Sequence, residues 1–243
     1  IGRDIQDQKT AVDERDRILN MSYDLICVAG TDGYFKYLNP AWEKTLGHTT
    51  DELLAKPYLD VIHPDDHEIN DAEVSHLADG NDTIDFENRY LHKDGSVVTI
   101  SWRAVPYVEE QLMFCVGRDI TKQKDAEASL RASERRLAKA QEIAQVGSFE
   151  FDAAMTEGIW SDQTYKLFGL EPGEVAPSVE TALECVHPED KDYVAASIAA
   201  FRESPKPQSI EFRVLRDDGR TRVLCSSMEG SVLGDQSGAV YVT

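Results

Sequence analysis

Asn88, Tyr90 and Trp102 are the side chains best suited to chemistry. They share one phase of two alternating segments, Phe86, Asn88, Tyr90 and then Val98, Ile100, Trp102. Alternate residues of a strand point to one face, so this phase presents an amide, a phenol and an indole among apolar neighbours. The other phase, Glu87, Arg89, Thr99, Ser101 and Arg103, is polar and belongs to solvent. Aromatic walls with a few placed polar groups suit a planar ligand. An inward amide also needs a partner, because burying one unpaired costs about 1–3 kcal/mol. Two readings stand: a ligand site, or a core in which Asn88 bonds backbone or water and Trp102 fills space.

The remaining chemistry-bearing residues read as structural. His63 and His187 each precede a proline and an acidic pair, and no second ligand recurs at metal-like spacing, so they read as loop formers. His67 and His76 fall on a predicted helix and read as surface residues. Cys27, Cys115, Cys185 and Cys225 form no CxxC pair and read as buried thiols in a reducing compartment, with a redox thiol as the alternative. No glycine-rich phosphate loop, nucleophile elbow, kinase phosphoacceptor or Gly-Gly-Asp-Glu-Phe-like motif is present, so the chain is not read as an enzyme.

The elements that position these residues occur twice. His63-Pro64-Asp65-Asp66 returns as His187-Pro188-Glu189-Asp190, and Asp94-Gly95 as Asp218-Gly219. Gly117-Arg118-Asp119-Ile120 echoes Gly2-Arg3-Asp4-Ile5. A period of about 120 residues is that of a domain, not of a solenoid repeat. The expected layout is therefore an upstream tail and linker helix over 1–19, a first domain over 20–121, a linker helix over 122–145, and a second domain over 146–243 with its last strand cut short. The repeats at both ends lead us to expect a piece of a longer protein.

Within each copy the order is two strands, short helices, three strands. Asp32-Gly33 between apolar runs predicts a hairpin over 25–38. Residues 40–56 read as helical with a stop near Gly47. Pro64-Asp65-Asp66 offers caps for a helix to about Leu77. Residues 83–92 and 96–108 pair around Lys93-Asp94-Gly95, and 111–117 form the last strand. In the second copy the strands fall at 148–152, 158–161, 208–216 and 220–228, with a helix in 188–203 and a last strand starting at Val240. Hairpins make each sheet antiparallel, and helices inserted between strands two and three cover one face. The fold class is α+β.

At a shift of 124 residues, Asn88 becomes Phe212, Tyr90 becomes Val214 and Trp102 becomes Ser226. A ligand therefore belongs in the first copy. The linker carries a short stripe, Ala126, Leu130, Ser133, Leu137, Ala140, Ala144, at 3/4 spacing. It reads either as a connector packed on a domain or as a dimer seam. The net charge of −20 argues against nucleic acid or an anionic membrane as partner. No apolar run reaches the ~18 residues of a membrane span. The expected location is cytoplasmic, with an anchor elsewhere in the parent left open.

Both copies resemble PAS domains. Gly117-Arg118-Asp119-Ile120-Thr121-Lys122-Gln123-Lys124 resembles the PAC motif that joins sheet to linker helix, and Ala140-Gln141-Glu142-Ile143-Ala144-Gln145-Val146-Gly147-Ser148 resembles the opening of one PAS branch. The resemblance implies a five-stranded antiparallel sheet with helices over one face and a pocket between. It also implies a sensory module, most often upstream of a histidine kinase or a diguanylate cyclase, that pairs as a homodimer through linker and flanking helices. A histidine kinase is the first expectation for the output domain. By likeness to PAS redox sensors the expected cofactor is FAD in the first domain, with haem behind it. Asn39, Phe86, Asn88, Tyr90, Ile100 and Trp102 are the candidate cofactor-binding residues, and no metal site is expected. The cysteine motif of covalent flavin photosensors is replaced by Ala55-Lys56-Pro57-Tyr58-Leu59-Asp60. The alternative is a ligand-free dimerisation or interaction module.

Overall fold

The first hairpin turns where its residues allow. Gly33 sits at φ +89°, a region that suits a residue without Cβ. It joins β1 (Leu25–Gly30) to β2 (Phe35–Leu38). The computed structural model describes residues 14, 17, 19–152, 157–216 and 219–230, and the backbone of 236–242. Of the upstream tail and linker expected over 1–19, most lies outside the described residues; Glu14, Arg17 and Leu19 are helical.

Two helices follow in place of one. α1 (Ala41–Leu46) stops at Gly47, whose φ of +72° ends it in the left-handed region. α2 (Thr50–Leu54) restarts on a capping box: the Thr49 hydroxyl accepts from the Glu52 N–H, and the Glu52 carboxylate accepts from the Thr49 N–H. α3 (His67–Ala78) then leads through Gly80 to β3 (Thr83–Leu91), β4 (Val97–Tyr107) and β5 (Leu112–Asp119). The sheet order is β2-β1-β5-β4-β3, antiparallel throughout. Its inner face and the helices enclose a core around Leu25, Trp42, Leu46, Leu53, Ile62 and Ile100.

α4 (Thr121–Ala144) is the linker helix, and the chain divides into two compact units inside it, at Ala128 and Ser129. The second unit repeats the plan: β6 (Val146–Phe151), β7 (Gly158–Trp160), α5 (Asp162–Phe168), α6 (Val179–Cys185), α7 (Lys191–Glu203), β8 (Gln208–Leu215), β9 (Thr221–Gly230) and β10 (Gln236–Val242). Its order is β7-β6-β10-β9-β8, the same topology. The last strand begins at Gln236 rather than at Val240. Asp218, on the predicted hairpin turn, lies outside the described residues; Gly219 beside it has φ +75°.

The duplicated His-Pro motif is a loop device, as expected, but its last acid does not cap the next helix. Asp66 makes no capping bond to α3. Its carboxylate accepts the Arg89 backbone N–H at 2.7 Å and the Arg89 guanidinium through Nε and Nη2. Asp190 takes the Arg213 backbone N–H at 2.8 Å and the Arg213 guanidinium in the same way. His63 Nδ1 accepts from the Asp65 N–H, and His187 Nδ1 from the Glu189 N–H. The motif thus clasps the helix start to the middle of the third strand. Arg89 holds the Asp66 carboxyl below its ordinary range, and Arg213 holds that of Asp190 down to about 2.

Candidate functional site

The long hairpin of the first unit turns Asn88, Tyr90, Val98, Ile100 and Trp102 inward, with Phe86 partly buried beside them. Register places Phe86 opposite Trp102 and Asn88 opposite Ile100. Trp102 Nε1 donates to Asn88 Oδ1 at 2.8 Å. An indole N–H can only donate, which fixes the amide: oxygen toward Trp102, nitrogen away. Asn88 Nδ2 then donates to Asn70 Oδ1 at 3.1 Å. The relay runs Trp102, Asn88, Asn70, and it ends on Asn70 Nδ2, a buried donor with no acceptor. Asn70 comes from α3 and is only 6% exposed.

This donor borders a cavity of about 70 Å³. Phe86, Asn88, Tyr90 and Trp102 line it, together with Asn70 and the thiols Cys27 and Cys115. Thr83 and Glu73, joined by a hydroxyl-to-carboxylate hydrogen bond, complete its polar rim. The rings of Trp42, Tyr90 and Trp102 pack on one another with centroids 5.7–5.8 Å apart. Burial keeps the Tyr90 phenol protonated well above its ordinary range.

Two expected site residues lie elsewhere. Asn39 is a brace, not a cavity residue: its Oδ1 accepts from the Ile26 N–H, and its Nδ2 donates to the Asp24 and Leu19 carbonyls. Its amide is consumed by the edge of β1. Ser161 does the same work in the second unit, accepting from the Ser148 N–H. Ile100 is fully buried core beneath the hairpin and does not reach the cavity. Asn70 was missed, although the sequence signals it: Asn70, Val74 and Leu77 fall at i, i+4, i+7 on α3, an inward stripe with an amide in it.

The expected cofactors do not fit. A cavity that admits benzene measures about 150 Å³, and the fused tricyclic ring of a flavin is larger than benzene. The Trp102 indole and the Asn88 amide, which would read such a ring, are already bonded in the relay, and only the Asn70 Nδ2 donor is left. Haem is larger still, and it finds no histidine: His67 bonds the Ile62 carbonyl, His76 is exposed, and neither lines the cavity.

The second unit has a cavity of about 50 Å³ in the corresponding place, walled by Phe149, Phe168, Ile210, Phe212 and Met228, with Ser226 where the first has Trp102. The copies therefore differ less in volume than in polarity.

A family model described as the PAS fold matches residues 35–117 and 159–242. Among curated proteins, the probable diguanylate cyclase DgcE of Escherichia coli is 26% identical over 82% of this chain and 19% of its own length. Sporulation kinase C of Bacillus subtilis is 27% identical over 54% of this chain and 31% of its own. The chain thus spans under a third of the length of either relative. Among solved structures, the PAS domain of an HTR-like protein from Haloarcula marismortui aligns with 49% of this chain and all of its own, at 21% identity and a TM-score of 0.43. A PAS domain from Colwellia psychrerythraea aligns with 46% of this chain and 98% of its own, at 26% identity and a TM-score of 0.41. No helix among the described residues is long and apolar enough to cross a membrane. With the model matching one stretch in each sheet-and-helix unit, the chain belongs to the PAS fold family and carries that fold twice.

Proposed function

We propose that this chain is the sensing segment of a signalling protein, in which the first PAS domain binds a small molecule and the second relays. The observation that carries this reading is the unpaired Asn70 amide donor at the wall of the first cavity. A buried donor without a partner costs about 1–3 kcal/mol, and a ligand oxygen would recover that. At roughly 10–15 Å³ per water, and against about 150 Å³ for benzene, the cavity of about 70 Å³ accepts a molecule of about three to five heavy atoms. The ligand is thus a short carbonyl or carboxylic compound with one acceptor for Asn70 and an apolar end for Phe86 and Trp102. It takes the place of the flavin first expected. The cyclase relative matches more of this chain than the kinase relative, 82% against 54%, which favours a diguanylate cyclase over a histidine kinase as output domain.

Thermal unfolding of the chain with millimolar acetate, propionate, acetone and butanone tests the ligand. At least one should raise the transition of the first domain, and Asn70→Leu should abolish the rise. No shift with any of them, and no small molecule released when the purified protein is denatured, would remove the reading.

The linker favours a second, compatible role. None of the 24 residues of α4 is buried, and Leu130 and Leu137 are each 60% exposed. Their stripe suits a second copy of the chain, pairing helix to helix. Sedimentation should show a dimer that Leu130→Lys with Leu137→Lys dissociates; a monomer at high concentration would exclude it.

A further inference from the structure

Cys27 and Cys115 face each other directly across the β1–β5 pair. Both side chains are on the inner face, and both line the cavity of the first domain. Cys27 is 3% exposed, and Cys115 is partly exposed. Across β5, Cys115 is flanked by Ala104, which leaves its sulfur room. The pair is absent from the second domain, where the corresponding position of β6 is Phe149 and its partner on β10 is Gly238.

We propose that Cys27 and Cys115 form a dithiol site that a hydroperoxide oxidises to a disulfide. Opposed residues of an antiparallel pair have Cβ atoms about 4.5–5.5 Å apart. A disulfide needs about 3.5–4.5 Å. The bridge therefore forms with a local approach of about 1 Å and no change of register. Hydrogen peroxide has two heavy atoms and fits the cavity.

Cys115, the more accessible thiol, is the attacking group. Its thiolate displaces hydroxide from the peroxide O–O bond, forming a sulfenic acid; the hydroxide takes up a proton and leaves as water. The Cys27 sulfur then displaces the sulfenic oxygen. The S–S bond forms, and that oxygen leaves as a second water with the Cys27 proton. Two thiols lose two electrons and the peroxide gains them. Cys27 resolves by position, facing Cys115 across the strand pair; its hydrogen bond to the Cys115 sulfur, and then its burial, keep it protonated well above the ordinary range, so it is not the thiol that attacks the peroxide first, and it gives up its proton as it meets the sulfenic acid.

The site is placed to be read out. β5 ends at Asp119, and α4 begins at Thr121. Drawing β5 toward β1 acts on the strand that feeds the linker helix. The inference rests on the sheet register and stands whether or not the cavity binds a carbonyl ligand.

Peptide mapping of the whole chain under non-reducing conditions, before and after hydrogen peroxide, tests it. The expected product is a single linked peptide pair joining Cys27 to Cys115, reversed by dithiothreitol and not formed in urea-unfolded chain beyond a statistical mixture of pairings. In Cys27→Ser, dimedone should trap a sulfenic acid at Cys115. Unlinked Cys27 and Cys115 in the wild-type chain, at peroxide doses that oxidise Cys185 or Cys225, would overturn the proposal. The wild-type map decides even if the variant does not fold.

Discussion

The bond between Trp102 and Asn88 can be weighed by removing each partner and then both. Trp102→Phe keeps an aromatic ring in the wall but deletes the indole N–H, leaving Asn88 Oδ1 buried without a donor. Asn88→Leu keeps the volume but leaves Trp102 Nε1 without an acceptor and Asn70 Oδ1 without a donor. An orphaned buried polar group costs about 1–3 kcal/mol, whereas deleting both partners of a bond is close to neutral. Each single variant therefore carries a penalty for this bond that the double variant escapes. Trp102→Phe adds about 1 kcal/mol of lost apolar burial, and Asn88→Leu adds the Asn70 term; both cancel in the cycle. The double variant escapes both orphan penalties and should be less destabilised than the sum of the singles by at least about 2 kcal/mol, in the upper half of the 0.5–3 kcal/mol range of touching residues. Urea unfolding followed by far-ultraviolet circular dichroism measures this. Two transitions should be fitted, because each sheet has its own core. Additivity within about 0.5 kcal/mol would mean that the indole and the amide do not share a bond, and the relay to Asn70 would lose its first link.

Two further outcomes follow from the geometry. Asp66 and Asp190 have folded-state pKa values below the ordinary carboxylate value, that of Asp190 at about 2. A depressed value stabilises the fold above the unfolded pKa and is lost as pH falls through the folded one, so stability should drop between about pH 4 and pH 2, and Asp190→Asn should flatten that limb for the second domain. In Gly117→Ala, the new Cβ would lie 2.5–2.7 Å from the Trp102 ring, which is held by Trp42 and Tyr90 and cannot swing away. The first transition should fall by about 1–3 kcal/mol or more, and Trp102→Phe in the same chain should recover part of it.

The sequence carried the fold further than the site. Turn chemistry at Gly33, Gly47 and Gly80 and alternation along the long hairpin place the strands within a few residues, because those signals are local. The inward phase at Asn88, Tyr90 and Trp102 was readable for the same reason. Asn39 was misplaced because an amide following a strand looks alike whether it faces a cavity or braces an edge; only the three-dimensional path of Asp24 and Leu19 distinguishes them. Cavity size was not readable either. Replacing Trp102 by Ser226 suggests an emptier second pocket, and replacing Asn88 by Phe212 a fuller one. Where these opposed changes net out depends on how Phe149, Phe168 and Met228 converge from other strands and helices. The Cys27–Cys115 pairing needed the strand order, since β1 meets β5 only after the chain has built the rest of the sheet.

The contrast between the copies is the physical ground for the proposed division of roles. A cavity walled by Phe149, Phe168, Ile210, Phe212 and Met228 offers a ligand apolar burial and one serine hydroxyl, which gives little means of telling one small molecule from another. A relay that ends in an unpaired donor discriminates strongly, because an incoming molecule without an acceptor leaves the donor unsatisfied and one with an acceptor does not. Discrimination is what a sensor needs. The first domain holds both that donor and the facing thiols of β1 and β5. It delivers β5 directly into α4, and a molecule in the cavity that reaches Asn70 of α3 would also meet Met113 and Cys115 of β5. Two inputs that bias the same element are thermodynamically coupled, and each changes the free energy of the other by an equal amount. Oxidation of the thiol pair should therefore alter the affinity of the first cavity for its small ligand, and saturating ligand should alter the oxidation equilibrium of the pair by the same factor.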